Sequence, residues 1–169
     1  MRQSESVDLS KRRLFSFRRA PVEQAQEPRV KARPPYAVEE SMFTRLCDGC
    51  GECASACPSQ IIEMVDGVAV LDISYSACDL CGECKSACPT LALSNQIEST
   101  GLIATISNSC ENLYGYCGSC KGSCKGSCPY DALQWQDDAK PKIDAGKCKG
   151  CGQCAQSCYT SMISFDLKR

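Results

Sequence analysis

Cysteine is the residue that could do chemistry in this sequence, because 17 of the 169 residues are cysteines and most of them recur at fixed, short spacings. Two groups have the same spacing, C-x2-C-x2-C-x3-C-P, and they consist of Cys47, Cys50, Cys53 and Cys57 and of Cys78, Cys81, Cys84 and Cys88. Another group repeats this spacing without the proline, at Cys148, Cys151, Cys154 and Cys158. Cysteine thiolates at this spacing hold [4Fe–4S] cubanes, so the sequence predicts an iron–sulfur protein.

The fourth cysteine of each regular run is predicted to serve a different cluster from the first three. Cysteines at i, i+3 and i+6 lie on one tight loop, and their sulfurs converge on one cube. The fourth begins a turn that points away and ligates the other cluster of a pair. The sequence therefore predicts one cluster held by Cys47, Cys50, Cys53 and Cys88, and a second held by Cys78, Cys81, Cys84 and Cys57.

The remaining group is irregular and has five cysteines, which are Cys110, Cys117, Cys120, Cys124 and Cys128. Residues 121–124 and 125–128 are a tandem repeat of Lys-Gly-Ser-Cys, and removal of one copy restores the motif with a longer first gap. We expect the ligands of this group to be Cys110, Cys117, Cys120 and Cys128. A proline follows Cys128, as one follows the fourth cysteine of the first two groups. Cys124 is the alternative to Cys128. Sixteen ligands would hold up to four [4Fe–4S] clusters and leave one thiol over.

Two other uses of cysteine fit the sequence less well. A disulfide scaffold needs an oxidising compartment, and no apolar run of signal-peptide length is visible at the N-terminus. Zinc sites use cysteine pairs or combine cysteine with histidine, whereas this chain has no histidine and packs four cysteines into eleven residues. The sequence also shows no nucleotide-binding glycine loop and no catalytic constellation, so we expect a protein that is not an enzyme.

The chain divides into three parts by composition. Residues 1–40 contain four prolines and no cysteine, and we predict a flexible tail there. Residues 41–98 and 99–169 carry two cysteine groups each. The predicted fold class is therefore α+β, with two tandem ferredoxin-like domains of the bacterial 2[4Fe–4S] type. Short apolar runs are predicted to supply the strands, at residues 61–64, 68–71, 91–93, 102–106 and 162–165. Such small domains bury little apolar core, so cluster binding is expected to drive their folding.

Charge differs between the two halves. Residues 46–98 hold eight acidic residues and one basic residue, a formal balance of −7, whereas residues 99–169 hold six acidic and eight basic residues, a balance of +2. We therefore expect a partner to dock on the second half, through Lys121, Lys125, Lys147 and Lys149. The alternative is that these lysines are ordinary solvated surface. No nucleic-acid partner is expected, and no apolar run is long enough to span a membrane.

The N-terminal segment Ser10-Lys-Arg-Arg-Leu-Phe15 is similar to the core of a twin-arginine export signal. The hydrophobic segment that such a signal requires does not follow, since Arg18, Arg19, Pro21 and Glu23 come instead. Arg12 and Arg13 are therefore expected to belong to a solvated basic tail, to a degenerate signal that is not transported, or to a docking strip for a partner.

Several segments together give a more particular resemblance. They are Ser10–Phe15, Arg33-Pro34-Pro35-Tyr36, Phe43–Cys47 and the irregular cysteine group. The chain resembles the ferredoxin-type accessory proteins of the periplasmic nitrate reductase system, the NapF family. It departs from that pattern at Tyr159, where a proline is common, and in the extra Lys-Gly-Ser-Cys unit.

The resemblance implies a cytoplasmic protein that associates with the catalytic molybdenum subunit before that subunit is exported. It also implies that the protein helps to install the subunit's own [4Fe–4S] cluster or to maintain its redox state. This step is an analogy and does not follow from the cysteine spacing. A general electron carrier that feeds a reductase and a sensor of oxygen or iron remain the alternatives.

Overall fold

The computed structural model describes residues 28–114, 122–136 and 140–168, and the elements within them are short. The helices are α1 (Glu40–Leu46), α2 (Glu52–Ser55), α3 (Glu83–Ala87) and α4 (Gln153–Gln156), with a 3₁₀ helix at Glu111–Tyr114. The strands are β1 (Ile62–Val65), β2 (Val68–Leu71), β3 (Leu102–Ile106), β4 (Leu133–Gln136), β5 (Lys140–Ile143) and β6 (Ile163–Leu167). The mixture of helices and strands agrees with the predicted α+β class.

The strands described form three separate antiparallel pairs, β1 with β2, β4 with β5, and β3 with β6. The first pair is a hairpin that turns at Asp66 and Gly67, both of which have positive φ angles, of 54° and 78°. Two such residues make a tight turn whose twist matches that of the flanking strands. The third pair joins distant segments, since Leu102 lies opposite Leu167. This ladder closes the second half of the chain around its cysteine groups.

Four of the five apolar runs singled out in the sequence contribute to strands, and residues 91–93 do not. That run lies in turns, although Ala92 and Leu93 are buried there and the Ala92 carbonyl accepts a hydrogen bond from Val38 N–H at 3.0 Å. The hairpin β4–β5 did not stand out as an apolar run, because residues 133–136 alternate apolar and glutamine side chains and β5 contains Pro141.

The structure differs from the expected boundary of the flexible tail. Residues 1–27 lie outside the described part, and their flexibility stays a prediction. Residues 33–37, by contrast, are all buried. The Ala32 carbonyl accepts a hydrogen bond from Leu71 N–H at 2.9 Å, and the Arg33 guanidinium donates to the Ala69 carbonyl at 2.9 Å. The segment therefore packs along β2, because its backbone and its arginine find partners there.

The apolar core is continuous across the two halves. One cluster of buried side chains contains Phe43, Leu71 and Leu93 from the first half together with Leu102 and Cys151 from the second. A smaller cluster fills the second half around Ala104, Leu133 and Ile163. The cysteines belong to both clusters, so the places where metal would bind are built into the core.

Within the described residues, none of the helices has the length and apolar character needed to cross a membrane.

Candidate metal centres

Three helices of four or five residues begin in the same way and place the same kind of side chain. Each starts after a glycine in the left-handed conformation, at Gly51, Gly82 and Gly152, with φ angles of 77°, 83° and 94°. The second residue of each helix is a cysteine, and all three of these cysteines, Cys53, Cys84 and Cys154, are buried. A left-handed residue costs little at glycine, so this turn can deliver a cysteine into the core at each repeat of the motif.

Each of three cavities is lined by four cysteines. Site I is lined by Cys47, Cys50, Cys53 and Cys88, and site II by Cys57, Cys78, Cys81 and Cys84. In both cases the fourth cysteine comes from the other motif of the first half. The structure thus brings the cysteines together in the crossed arrangement expected from the spacing.

Site III repeats this arrangement in the second half. Its cavity is lined by Cys148, Cys151 and Cys154 together with Cys128. Cys128 is therefore the member of the irregular group that crosses to the other motif. Cys124 does not line this cavity and is buried in the core cluster that also contains Cys158.

The backbone around Cys128 resembles the backbone around Cys57 and Cys158. The third residue after each of Cys57, Cys128 and Cys158 has a positive φ angle of 52° or 53° and donates its N–H to that cysteine's carbonyl, and these residues are Gln60, Asp131 and Ser161. In addition, the sulfurs of Cys128 and Cys158 accept the N–H of the fourth residue after them, at 3.3 Å and 3.2 Å. Cys128 therefore shares its local geometry with Cys57 and Cys158.

The rest of the irregular group is only partly described. Cys110 and Cys124 are buried and Cys158 is half-buried, whereas Cys117 and Cys120 lie outside the described residues. The Tyr159 N–H donates to Ser123 Oγ at 3.3 Å, which brings the Cys124 and Cys158 neighbourhoods together. The expectation that Cys110, Cys117 and Cys120 hold a further cluster stays a prediction.

The chemistry of the donors in these cavities fits an iron–sulfur cluster. Burial, reinforced by neighbouring thiolates, raises the pKa of Cys53 to about 11 and that of Cys84 to about 12. The pKa of Cys154 is raised to about 12 for the same reasons. Four thiolates gathered in a buried space need positive charge, and iron bonded to sulfur supplies it. The fifteen described cysteines are all free thiols, so none of them is committed to a disulfide.

A single zinc ion fits the described cavities less well. In a tetrahedral zinc site every sulfur lies about 2.3 Å from one ion. Within the described ranges, however, no three Cys, His, Asp or Glu side chains are placed to share one ion.

The residues expected to dock a partner are not gathered by the structure into one described surface. Lys125 and Lys147 are exposed, and Lys149 is half-buried and lines site III. Arg12, Arg13 and Lys121 lie outside the described residues. The docking role of these six residues remains a prediction.

Sequence reasoning missed the part that Tyr36 plays at site II. Its hydroxyl donates to the Leu80 carbonyl at 3.0 Å, between the ligand positions Cys78 and Cys81, and its ring lies 4.9 Å from the Lys85 ammonium. The signal was present in the apolar residues 34–37 that directly follow Arg33, but composition placed that stretch in the tail.

Comparison with known proteins agrees with this description of the sites. A model of a 4Fe-4S dicluster domain matches residues 46–92, and a model of a 4Fe-4S binding domain matches residues 141–164. An uncharacterized protein of Haemophilus influenzae is 36% identical over 156 residues, which are 91% of this chain and 86% of that protein. The ferredoxin-type protein NapF of the same organism is 34% identical over 145 residues, or 83% and 82% of the two chains. The ferredoxin-type protein NapG of Escherichia coli is 27% identical over 157 residues, covering 76% of this chain and 66% of that protein.

Proposed function

Because the chain belongs to the ferredoxin-type NapF family, we propose that it serves the catalytic molybdenum subunit of a periplasmic nitrate reductase, in the cytoplasm and before that subunit is exported. It would hold up to four [4Fe–4S] clusters, and their chemistry when bound is the uptake and release of single electrons. Its task would be to keep the subunit's own cluster in a suitable redox state during maturation. The proposed role would be non-catalytic, with the chain supplying cysteine ligands for the clusters.

The proximity of the cysteine-lined sites is the observation that favours this role. Sites I and II exchange their fourth cysteines, so one tightly connected unit holds both of them. The chain's own residues position the sulfurs, shield them and donate hydrogen bonds to them. The Ala132 N–H, for example, points to Cys128 Sγ. Clusters held close together in a protected core are suited to passing electrons.

Donation of a whole cluster to the subunit is the other form of the maturation hypothesis. It requires ligands that can be reached and exchanged by incoming thiols. Cys50 and Cys81 are exposed, but Cys53, Cys78, Cys84, Cys148, Cys151 and Cys154 are buried. Only two of the twelve ligands at sites I to III are exposed, six are buried and four are half-buried, which favours redox maintenance over cluster installation. A general electron carrier would use the same geometry with a different partner, and a sensor of oxygen or iron is the third candidate.

An anaerobic experiment with the purified catalytic subunit separates these roles. The holoprotein is labelled with ⁵⁷Fe, reduced with dithionite, freed of excess reductant and mixed with the subunit in its unlabelled form. We expect a complex, reduction of the subunit's cluster seen by electron paramagnetic resonance (EPR), and retention of the ⁵⁷Fe by this protein. Transfer of ⁵⁷Fe to the subunit would instead favour installation. Absence of both a complex and electron transfer would contradict the proposed partner.

A further inference from the structure

The two halves of the chain meet at a hydrogen bond between cysteines of different sites. The Cys78 N–H of site II donates to the Cys151 carbonyl of site III at 2.7 Å. Both side chains are buried, with 7% and 6% of their surface exposed. Sites II and III are therefore in contact through the backbone of their own ligand residues.

Close packing fixes this contact on the side of the second half. A Cβ atom added to Gly152 would lie 3.4 Å from the Ala77 Cα and 3.4 Å from the Ile73 Cδ1. The Gln153 side-chain amide also donates to an Asp79 carboxylate oxygen at 3.4 Å. The residues next to Cys78 thus contact the residues next to Cys151.

The connection between the halves is held just as firmly. Thr100 is fully buried, and its hydroxyl donates to the Gly150 carbonyl at 2.9 Å and accepts the Leu102 N–H at 3.2 Å. The Thr100 N–H donates to the Lys149 carbonyl at 3.1 Å. The start of the second half is therefore anchored on the loop that carries Cys148 and Cys151.

The solvent exposure of the cysteine ligands differs between the three sites. Site I has Cys50 at the surface and site II has Cys81 at the surface. In site III the three cysteines of the loop, Cys148, Cys151 and Cys154, are all buried, and Cys128 is half-buried. A partner at the surface thus has a direct approach to sites I and II but meets protein around site III.

We propose that the Cys78–Cys151 contact is the route by which electrons pass between the two halves, so that sites I, II and III form one chain with site II in the middle. The inference rests on the proposed electron-transfer function and specifies its path. With clusters held by the cysteines of sites II and III, the step would be the transfer of one electron from site II to site III. No bond forms or breaks in this step, and no proton moves.

The test compares two matched variants of the full-length holoprotein. Cys50→Ala removes the exposed second cysteine of site I, and Cys81→Ala removes its counterpart in site II. After partial reduction with dithionite, EPR reports the magnetic interaction between clusters, and freeze-quench samples follow the reduction of site III. We expect Cys81→Ala to abolish the interaction between the two halves and to slow the reduction of site III. Cys50→Ala is expected to perturb the site I cluster, while the interaction between sites II and III and the reduction of site III persist.

An equal effect of the two variants on site III would overturn the proposal. If Cys81→Ala fails to fold, the EPR spectrum of the wild-type holoprotein tests the proposal. The proposed path is wrong if the EPR spectrum of the partially reduced protein equals the sum of the spectra of two magnetically isolated halves. Splitting of the signals by interaction between clusters of the two halves would support the path. These measurements use no partner protein. They can fail while the proposed partner stands, and they can succeed while that partner proves wrong.

Discussion

Arg33 and Glu40 form a buried ion pair in which two guanidinium nitrogens donate hydrogen bonds to the carboxylate. The Nε atom lies 3.1 Å and 3.2 Å from the two carboxylate oxygens, and Nη2 bonds to Oε1. The two side chains are only 4% and 8% exposed. The remaining Nη1 donates to the Ala69 carbonyl, and the guanidinium lies 4.9 Å from the centre of the Phe43 ring. This pair therefore fastens the segment before α1 to the hairpin that lies over site I.

Replacing Arg33 with methionine is expected to destabilise the first half. Loss of one partner of a buried pair leaves an uncompensated charge and costs about 3–5 kcal/mol. The measurement is the thermal midpoint of cluster bleaching, followed anaerobically by visible absorbance. The matched control is Lys31→Met, which breaks the exposed pair with Asp66 and should cost less than about 1 kcal/mol. Equal losses in the two variants would contradict the structural role of the buried pair.

Cys128→Ala and Cys124→Ala are expected to behave differently, because only Cys128 lines site III. Loss of Cys128 should remove the EPR signal of the site III cluster in its [4Fe–4S] form and lower the iron content by up to about four atoms per chain. Loss of Cys124 should leave the site III signal in place. Iron analysis and EPR on anaerobically purified protein measure both effects. The reverse result would mean that Cys124 is the crossed ligand.

Removal of iron is expected to unfold the protein or leave it molten, since its apolar core is built around the cysteines. Circular dichroism before and after chelation measures this. Retention of a cooperative thermal transition by the chelated protein would contradict it.

Any structure that survives chelation should be sensitive to alkali. Burial raises the pKa of Cys78 from 9.0 to about 11 and that of Cys84 to about 12. The folded chain then holds protons that the unfolded chain releases above pH 9.0, so stability is fully present below that value and is lost as the pH rises towards 11 and 12. A circular dichroism titration of the apoprotein from neutral to alkaline pH, with the holoprotein as control, tests this sign. A loss of structure on acidification alone would contradict it.

Charge reversal on the second half is expected to slow association with the catalytic molybdenum subunit. The variant carries glutamate at Lys121, Lys125, Lys147 and Lys149, and the effect should be largest at low salt, where screening is weak. Surface plasmon resonance at two ionic strengths measures the association rate. The matched control reverses the exposed carboxylates Asp48, Glu52, Asp79 and Glu83 of the first half. If only the control variant loses binding, the docking face is on the first half.

The grouping of the cysteines was accessible from the sequence because it depends on local spacing. The loop, the glycine and the short helix that place Cys53 or Cys84 lie within a few residues of one another. The choice between Cys124 and Cys128 was only suggested by Pro129, and the structure adds that Cys128 lines site III.

The burial of Arg33 and the contact between the two halves could not be predicted from the sequence. Arg33 is buried because Ala69 and Glu40 satisfy it, and Cys78 meets Cys151 because the core is continuous across the halves. Ala69 is distant from Arg33 in sequence, as Cys151 is from Cys78. Nothing in the residue type of Glu40 marks it as the partner of Arg33. Composition alone therefore placed residues 28–40 with the solvated tail.

The pairing of β3 with β6 imposes an order on biosynthesis. Leu102 finds its partner only when Leu167 has left the ribosome, so the second half cannot close before then. The first half has all eight of its cysteines available once residue 88 has emerged, and Val38 can bind Ala92 shortly afterwards. Sites I and II can thus be loaded on the nascent chain. The completed first half then offers Ala77 and Cys78 as a surface on which the later half assembles.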